Sequence, residues 1–343
     1  MSLFSSNESH LGIDIGSSSI KVVELKKVGG SPTLLTYGFS ENHGDLDQAD
    51  PKEIAAIINK ICIQTNAVSR QAVSALPTFS VFSSIINLSG VSKKDLPSAI
   101  SWEAKKVIPL PPEEMILDWK KIDSYDQAEK NNIKVLLTGA PKTLVKKYIE
   151  IFKNAKINLI SLETETFALI RSLLGNDKSA VMLVEIGAKT TSFTIIEQGI
   201  PILNRSIDIG GRTITKTLSH SLNIGLERAE QFKYDLGVGS IDTTANAIPR
   251  TIVESISPII NEVKYALNLF QNKNGKKVDK IILSGGSALL INLTSYLSKI
   301  LDINVVAGNP WSKISYPMDL KPLLDEIAPR LAIAIGLALR EVE

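Results

Sequence analysis

One supersecondary pattern occurs twice in this chain, and no other feature limits the fold as much. Residues 11–25 read LGIDIGSSSIKVVEL: an apolar strand, a carboxylate at Asp14, a glycine at Gly16, three serines (Ser17, Ser18 and Ser19), then Lys21 inside a second apolar strand. Residues 181–196 read VMLVEIGAKTTSFTII and repeat the order with Glu185, Gly187 and Thr190. The two carboxylates stand 171 positions apart in a chain of 343. Copies of one unit at that separation predict a duplicated α/β fold of two lobes with a cleft between the copies. Apolar and β-branched residues on either side suit strands. The glycine lets the chain reverse, and the amides and hydroxyls of such a turn are the donors a phosphate needs. A carboxylate ending the first strand points where a divalent cation bridging phosphates would sit. Taken singly, either copy also reads as an ordinary serine- or threonine-rich hairpin.

A third glycine–hydroxyl turn, Ser284 to Ser287 with Gly285 and Gly286, follows the apolar strand KIILSGG at 280–286. Other familiar sites are missing from the sequence. His10, His43 and His220 are scattered, no HExxH occurs, and the single Cys62 builds neither a zinc site nor an internal disulfide. The only Gly-Lys pair, Gly275 and Lys276, has Phe270 where a P-loop needs its first glycine. A hydrophobic content of 44%, with 22% charged residues and a net charge of +2, describes a globular chain without a dominant nucleic-acid surface. The N-terminus MSLFSSNESH lacks the form of a secretory signal. The apolar run LAIAIGLAL at 331–339 falls well short of the roughly 20 residues that span a bilayer. A buried helix is expected there, and any membrane link passes through a partner.

Along the chain, strands are expected at 11–25 and 33–39, and a helix over 51–62 opened by Asp50, Pro51 and Glu53. A β-rich stretch covers 72–88. From about 89 the order becomes helix, strand, strand, helix: a helix stopped by PLPP, the strands MILDWKKI and IKVLLTGA around a polar connection, and the helix PKTLVKKYIEIFKNA. This predicts a small α+β module inserted at about 89–155 into a first lobe of residues 1–178. A second lobe is expected at 179–325, with helices at 212–222, 226–235 and about 251–271, the last interrupted by Pro258, and one beyond 286 carrying Leu289, Leu290, Leu293, Leu297 and Ile300. Residues 326–343 are expected as a C-terminal helix returning to the first lobe.

The five-part order of these motifs resembles the actin, sugar kinase and heat-shock chaperone ATPase superfamily, whose fold is a ribonuclease H-like two-lobed one. DIGSSSIK looks like its first phosphate motif, EIGAKTT like its second and IILSGGSALL like its adenosine motif. ERAEQFK supplies Glu230 and Lys233 at an E-x-x-K spacing, and ETFA at 165–168 sits at the first connecting helix, where a glutamate is frequent. The resemblance implies ATP and Mg²⁺ as cofactors, with Asp14 and Glu185 holding the metal directly or through water. It places Gly16, Ser17, Ser18, Ser19 and Lys21 on one side of the β- and γ-phosphates, and Gly187 and Thr190 on the other. Gly285, Gly286 and Ser287 would receive adenosine, Glu230 and Lys233 of a helical subdomain at 210–277 would flank ribose and adenine, and Glu165 would be the catalytic carboxylate. Glu185 stands where aspartate is usual, one methylene longer, which implies at most slow hydrolysis.

Within the superfamily, AISWEAKKVIPLPPEEMILDWKKI and the ending IAPRLAIAIGLALR are similar to the type IV pilus assembly PilM family, which shares the inserted-module architecture of the division protein FtsA. Glu103, Ala104, Ile108, Pro109, Pro111, Glu113 and Glu114 carry that likeness. It implies a cytoplasmic scaffold, peripheral to the inner membrane through its partners, that captures the N-terminal cytoplasmic tail of PilN. The groove would lie between the module and the first lobe, with walls at 78–88 and 100–112 and with Trp102 and Phe82 as anchors or as core. Other pilus platform components and a homo-oligomer fit the same reading. An FtsA-like division protein, which would carry an amphipathic tail where this sequence ends in REVE, and a small-molecule kinase are the competing expectations.

Overall fold

The doubled pattern folds into two five-stranded sheets of the same strand order. A computed structural model describes residues 9–41, 44–92, 94–108, 110–122, 132–239 and 247–342. In the first lobe, β1 (Ser9–Ile15), β2 (Ile20–Val28) and β3 (Ser31–Phe39) form an antiparallel meander. After α1 (Pro51–Gln64), β4 (Gln71–Leu76) pairs parallel to β1, and β8 (Asn158–Thr164) pairs parallel to β4, giving the order β3-β2-β1-β4-β8. The second lobe repeats this with β9 (Val181–Ile186), β10 (Thr191–Glu197), β11 (Ile200–Ile207), β12 (Lys280–Ser284) and β13 (Asn304–Ala307), in the order β11-β10-β9-β12-β13. In both lobes the carboxylate motif ends the central strand of its sheet. That is where ligands gather in open α/β sheets, beyond the carboxyl ends of the parallel strands.

A third sheet, β5-β7-β6, comprises β5 (Phe82–Ser89), β6 (Met115–Ile122) and β7 (Asn132–Pro141), and packs against α2 (Leu96–Val107) through Ile86, Leu88, Ile100, Ala104 and Leu137. The expected module edges therefore move. β5 belongs to this sheet, so the unit begins before residue 89. The helix α3 (Lys142–Ala155) leaves it, because Tyr148, Ile151, Phe152 and Ala155 pack with Ile54 and Ile58 of α1 in the first lobe's core. Pro109 and the polar connection after β6 lie outside the described residues.

The second lobe carries α5 (Gly211–Leu222), α6 (Leu226–Leu236), α7 (Ala247–Asn274) and α8 (Leu293–Leu301). Pro258 does not interrupt α7. It has no N–H for the Glu254 carbonyl, and the Ser257 hydroxyl donates to that carbonyl instead at 2.8 Å. The chain after β12 makes a 3₁₀ turn, Gly286–Leu289, before α8 begins at Leu293, so Leu289 and Leu290 precede the helix expected to carry them.

Two helices join the lobes: α4 (Glu165–Leu169), continued by a π-helical turn at Ile170–Leu174, and α9 (Lys321–Leu339). α9 starts earlier than the sequence suggests, and every residue from 331 to 339 is buried. Its Ala332, Ile333 and Leu337 share one apolar cluster with β4 and α4 of the first lobe and with β9 and β12 of the second. The packing is backbone against backbone. A β-carbon on Gly12 of β1 would lie 1.9 Å from the Ala334 carbonyl oxygen, and one on Gly336 would lie 2.0 Å from that of Ala168. Overpacking that no side chain can relieve is costly. Gly12→Ala is expected to destabilise the protein by at least about 3 kcal/mol in urea unfolding; an unchanged midpoint would contradict this packing.

Candidate functional site

Each lobe contributes one hairpin turn. In the first, the Gly16 N–H donates to the Ser19 carbonyl at 3.0 Å, and Lys21, opposite Asp14 in the β1–β2 register, brings its Nζ to 2.9 Å from Asp14 Oδ2. In the second, the Gly187 N–H donates to the Thr190 carbonyl, also at 3.0 Å. Both glycine amides are thus used in closing their turns, which leaves any phosphate to the hydroxyls and amides further along, at Ser17, Ser18, Ser19 and Thr190. The N-terminus of α5 supports the second turn: the Gly211 and Arg212 N–H groups donate to the carbonyls of Gly187 and Ala188, each at 2.8 Å.

Asp14, Glu165 and Glu185 act on one another electrostatically. Burial raises the Glu165 carboxyl from the ordinary 4.5 to about 7, and the charge of Asp14 adds to the rise, while the Thr78 hydrogen bonds and Lys21 oppose it. Burial also pushes Glu185 well above the carboxylate range, with Glu165 and Asp14 adding repulsion and Lys21 opposing it. One ammonium against three carboxylates leaves the cluster short of positive charge. Among the described residues, no three of His, Cys, Asp or Glu cage an ion by themselves. A hard dication here would take its remaining ligands from phosphate and water, which is the usual habit of Mg²⁺. The donor set fits that ion.

The third turn meets the second. Gly285 has φ +86°, a conformation that favours glycine, and a β-carbon there would lie 2.5 Å from the Ile186 carbonyl oxygen and 2.7 Å from Glu185 Oε1. The Pro329 carbonyl of α9 accepts from the Gly285 N–H at 3.0 Å and from Ser284 Oγ at 3.1 Å, tying this turn to the interlobe helix. A β-carbon on Gly211 would meet Ser287 Oγ at 2.6 Å, so Ser287, buried, packs on the start of α5. Tyr234 of α6 reaches the Gly286 carbonyl with its hydroxyl at 3.5 Å, and burial pushes its phenol up to about 12.

Glu230 and Lys233 differ in exposure. The Lys233 side chain is 2% exposed and its Nζ donates to both Glu230 oxygens at 2.7 Å, to Thr215 Oγ1 at 3.1 Å and to the Gly211 carbonyl at 3.4 Å. Burial lowers its pKa, against the pull of Glu230. The Glu230 side chain is 41% exposed and also accepts from Thr215 Oγ1. Lys233 is therefore placed to hold Glu230 and α5, while Glu230 faces outward.

Sequence reasoning placed Thr78 in the groove wall at 78–88 but missed its contact with Glu165. Thr78 lies in the 3₁₀ turn Thr78–Ser80 between β4 and β5, where the chain enters the inserted module, and its N–H donates to Glu165 Oε2 at 2.8 Å. No local pattern announces a contact between residues so far apart. Of the two proposed anchors, Phe82 packs partly buried against the module core. Trp102 is 60% exposed on α2, with the Lys106 ammonium 3.3 Å from its ring centre.

Two sheets of one topology, two carboxylate hairpins and two interlobe helices define the actin-like ATPase class of fold. A family model described as type IV pilus assembly protein PilM matches residues 12–342, and the chain belongs to that family. Its structure superposes on the PilM-PilN type IV pilus biogenesis complex with a TM-score of 0.84 and 25% identity, covering 98% of this chain and 99% of that one. It matches MreB5 of Spiroplasma citri bound to ADP with a TM-score of 0.55 at 14% identity over 97% and 96% of the two chains, a likeness of fold. Cell division protein FtsA of Neisseria meningitidis serogroup B is 26% identical over 72% of this chain and 66% of its own length. FtsA of Bacillus subtilis is 22% identical over 89% and 79%. Among the described residues no helix is long and apolar enough to cross a membrane.

The acid cluster makes a pH prediction. Between pH 4.5 and about 7 the folded state holds a proton at Glu165 that the unfolded state has released, so stability falls as pH rises through that window. Glu165→Gln is expected to stabilise the ligand-free protein at pH 8 by on the order of 1–2 kcal/mol and to change it little near pH 5. Urea midpoints at the two pH values check this, and an equal effect at both would contradict it.

Proposed function

We propose that this protein is an ATP-binding scaffold of the type IV pilus assembly platform, capturing the N-terminal cytoplasmic tail of a PilN partner at the inner membrane. The observation that carries the reading is the convergence of the three glycine turns with Asp14, Glu165 and Glu185, in a chain of the PilM family that superposes closely on a PilM-PilN complex.

In this reading the β- and γ-phosphates lie between the turns at 16–19 and 187–190. Mg²⁺, held by Asp14 and Glu185 directly or through water, supplies the positive charge that the acid cluster lacks. Lys21 shares its charge between Asp14 and phosphate. Adenosine sits against Gly285, Gly286 and Ser287, with Glu230 toward the ribose and Lys233 fixing Glu230 in place. Glu165 orients the water on the metal or phosphate side. Its bond to Thr78 makes it also the link to the module: a charge change at Glu165 alters its hold on the turn through which the chain enters β5.

The PilN tail would lie extended along the seam between the module and the first lobe, a mode of recognition that needs no chemistry. The turn Thr78–Ser80, where Phe79 is 46% exposed, and the start of β5 form one wall. Residues from 100 to 112 supply the other wall, in part. Trp102 points to solvent on the side of α2 opposite its buried Ile100 and Ala104, which makes it a rim residue rather than an anchor. Turnover would be slow at most, because the longer Glu185 side chain would misplace a metal ion or an attacking water.

Calorimetric titration of the purified chain with Mg-ATP, and with the PilN-tail peptide in the presence and absence of Mg-ATP, tests the reading. Asp14→Ala is expected to weaken ATP by at least about tenfold and, with it, the nucleotide-dependent part of peptide binding. A variant that binds both as tightly as the parent would refute the coupling.

A further inference from the structure

Residues 44–47 form a short acidic loop that bridges the two phosphate-type turns. On the first-lobe side it is built in firmly. The Leu46 side chain, 3% exposed, enters the core with Ile54 and Ile58, and its N–H donates to the Ser17 carbonyl at 3.0 Å. Lys147 Nζ of α3 donates to the Asp47 carbonyl at 2.7 Å, and Asp45 Oδ1 accepts the Asp47 N–H at 3.2 Å. On the second-lobe side, two cations reach across. Lys189, third residue of the turn 187–190, places its Nζ 3.1 Å from Asp47 Oδ2 and 3.6 Å from Asp45 Oδ2. Arg212, in the first turn of α5, donates to the Gly44 carbonyl.

The arrangement is asymmetric in what can move. The loop is held by core packing at Leu46, by the Leu46 N–H bond to Ser17 and by the Lys147 and Arg212 contacts to its carbonyls, none of which uses the Asp45 or Asp47 carboxylates. The Lys189 side chain is 43% exposed and, among the described residues, its ion pairs are with those two carboxylates; exposed pairs of this kind are worth little. Its stem leaves the same four-residue turn that, in the nucleotide reading above, would face the phosphates with the Thr190 hydroxyl and amide. A long flexible ammonium on that stem is a point charge able to exchange one set of oxygens for another.

We propose that Lys189 is a terminal-phosphate ligand of the nucleotide site, with Asp45 and Asp47 as the stand-in anions that hold it in the ligand-free protein. The inference rests on the nucleotide reading above and adds a discrimination to it. The terminal phosphate of a nucleoside triphosphate comes within reach of the Lys189 ammonium and competes for it; a diphosphate, whose last phosphate stops one position short of that point, leaves the ammonium on Asp45 and Asp47. The two aspartates therefore lower affinity for the triphosphate, because binding it requires breaking their ion pairs and placing more negative charge beside them.

The full chain, its Lys189→Ala variant and its Asp45→Asn/Asp47→Asn double variant would be titrated with Mg-ATP and with Mg-ADP at fixed ionic strength, with urea midpoints confirming that all three fold alike. Asparagine at 45 keeps the side-chain oxygen that accepts the Asp47 N–H. Lys189→Ala should lose about tenfold in ATP affinity and little in ADP affinity, lowering the ATP/ADP ratio. The double asparagine variant should bind ATP severalfold more tightly than the parent, the opposite of what loss of a merely structural bridge would give. An unchanged ATP/ADP ratio in Lys189→Ala, or weaker ATP binding by the double variant, overturns the proposal while leaving the nucleotide site standing. A parent chain that binds neither nucleotide overturns both.

Discussion

Backbone contact between α9 and the elements on either side of it is the constraint from which the rest follows. The helix lies so close to β1 at Gly12, and to α4 through Gly336, that no side chain fits between them. At Pro329 the same helix accepts hydrogen bonds from Ser284 and Gly285. The strand that carries Asp14 next to its end, the helix that begins with Glu165 and the turn that carries Gly285 are thereby referred to one rigid body. Three loops remote in sequence acquire a fixed mutual geometry without touching extensively, and a core as dense as a crystal transmits that geometry with little slack.

Against that fixed frame stands an unfavourable charge arrangement. Asp14, Glu165 and Glu185 lie within the field of one ammonium, Lys21, and burial raises the cost of the charges on Glu165 and Glu185. A natural protein keeps such a cluster at a cost in stability, and clusters of perturbed carboxyls in a concave place are typical of sites that meet a cation or a substrate. The same logic extends outward. Thr78 donates to Glu165 at the threshold of the inserted module, and Lys189 of the second lobe pairs with Asp47 of the first. Glu165 thus belongs both to the acid cluster and, through Thr78, to the first turn of the module.

The two carboxylate hairpins and the Gly285 turn were legible because each is local: a strand pattern of period two, one carboxylate, then glycine and hydroxyls within a few residues. The buried run at 331–339 was legible for the same reason, since apolar residues on every side of a helix leave it nowhere but inside. What escaped was set by partners distant in sequence. Helix α3 has a well-formed apolar face, yet nothing in that face says whether it packs on its own module or on α1. Pro258 looked like a break because the Ser257 hydroxyl that takes over the Glu254 carbonyl is a tertiary detail of one helical turn. Strand β13, four residues with a single fully buried position, carries too little alternation to stand out. Thr78 is an ordinary loop residue until α4 packs beside it, and Asp47 and Lys189 are ordinary loop residues until the lobes are placed side by side.

The central claim is that the three turns close around one nucleotide, and a crystal structure of the full chain with Mg²⁺ and a non-hydrolysable ATP analogue tests it most directly. The account predicts terminal phosphates within hydrogen-bonding distance of residues 17–19 on one side and 188–190 on the other, the ion beside Asp14, and the base against residues 285–287. An analogue bound elsewhere, or found between the lobes with its phosphates turned away from both hairpins, would contradict it.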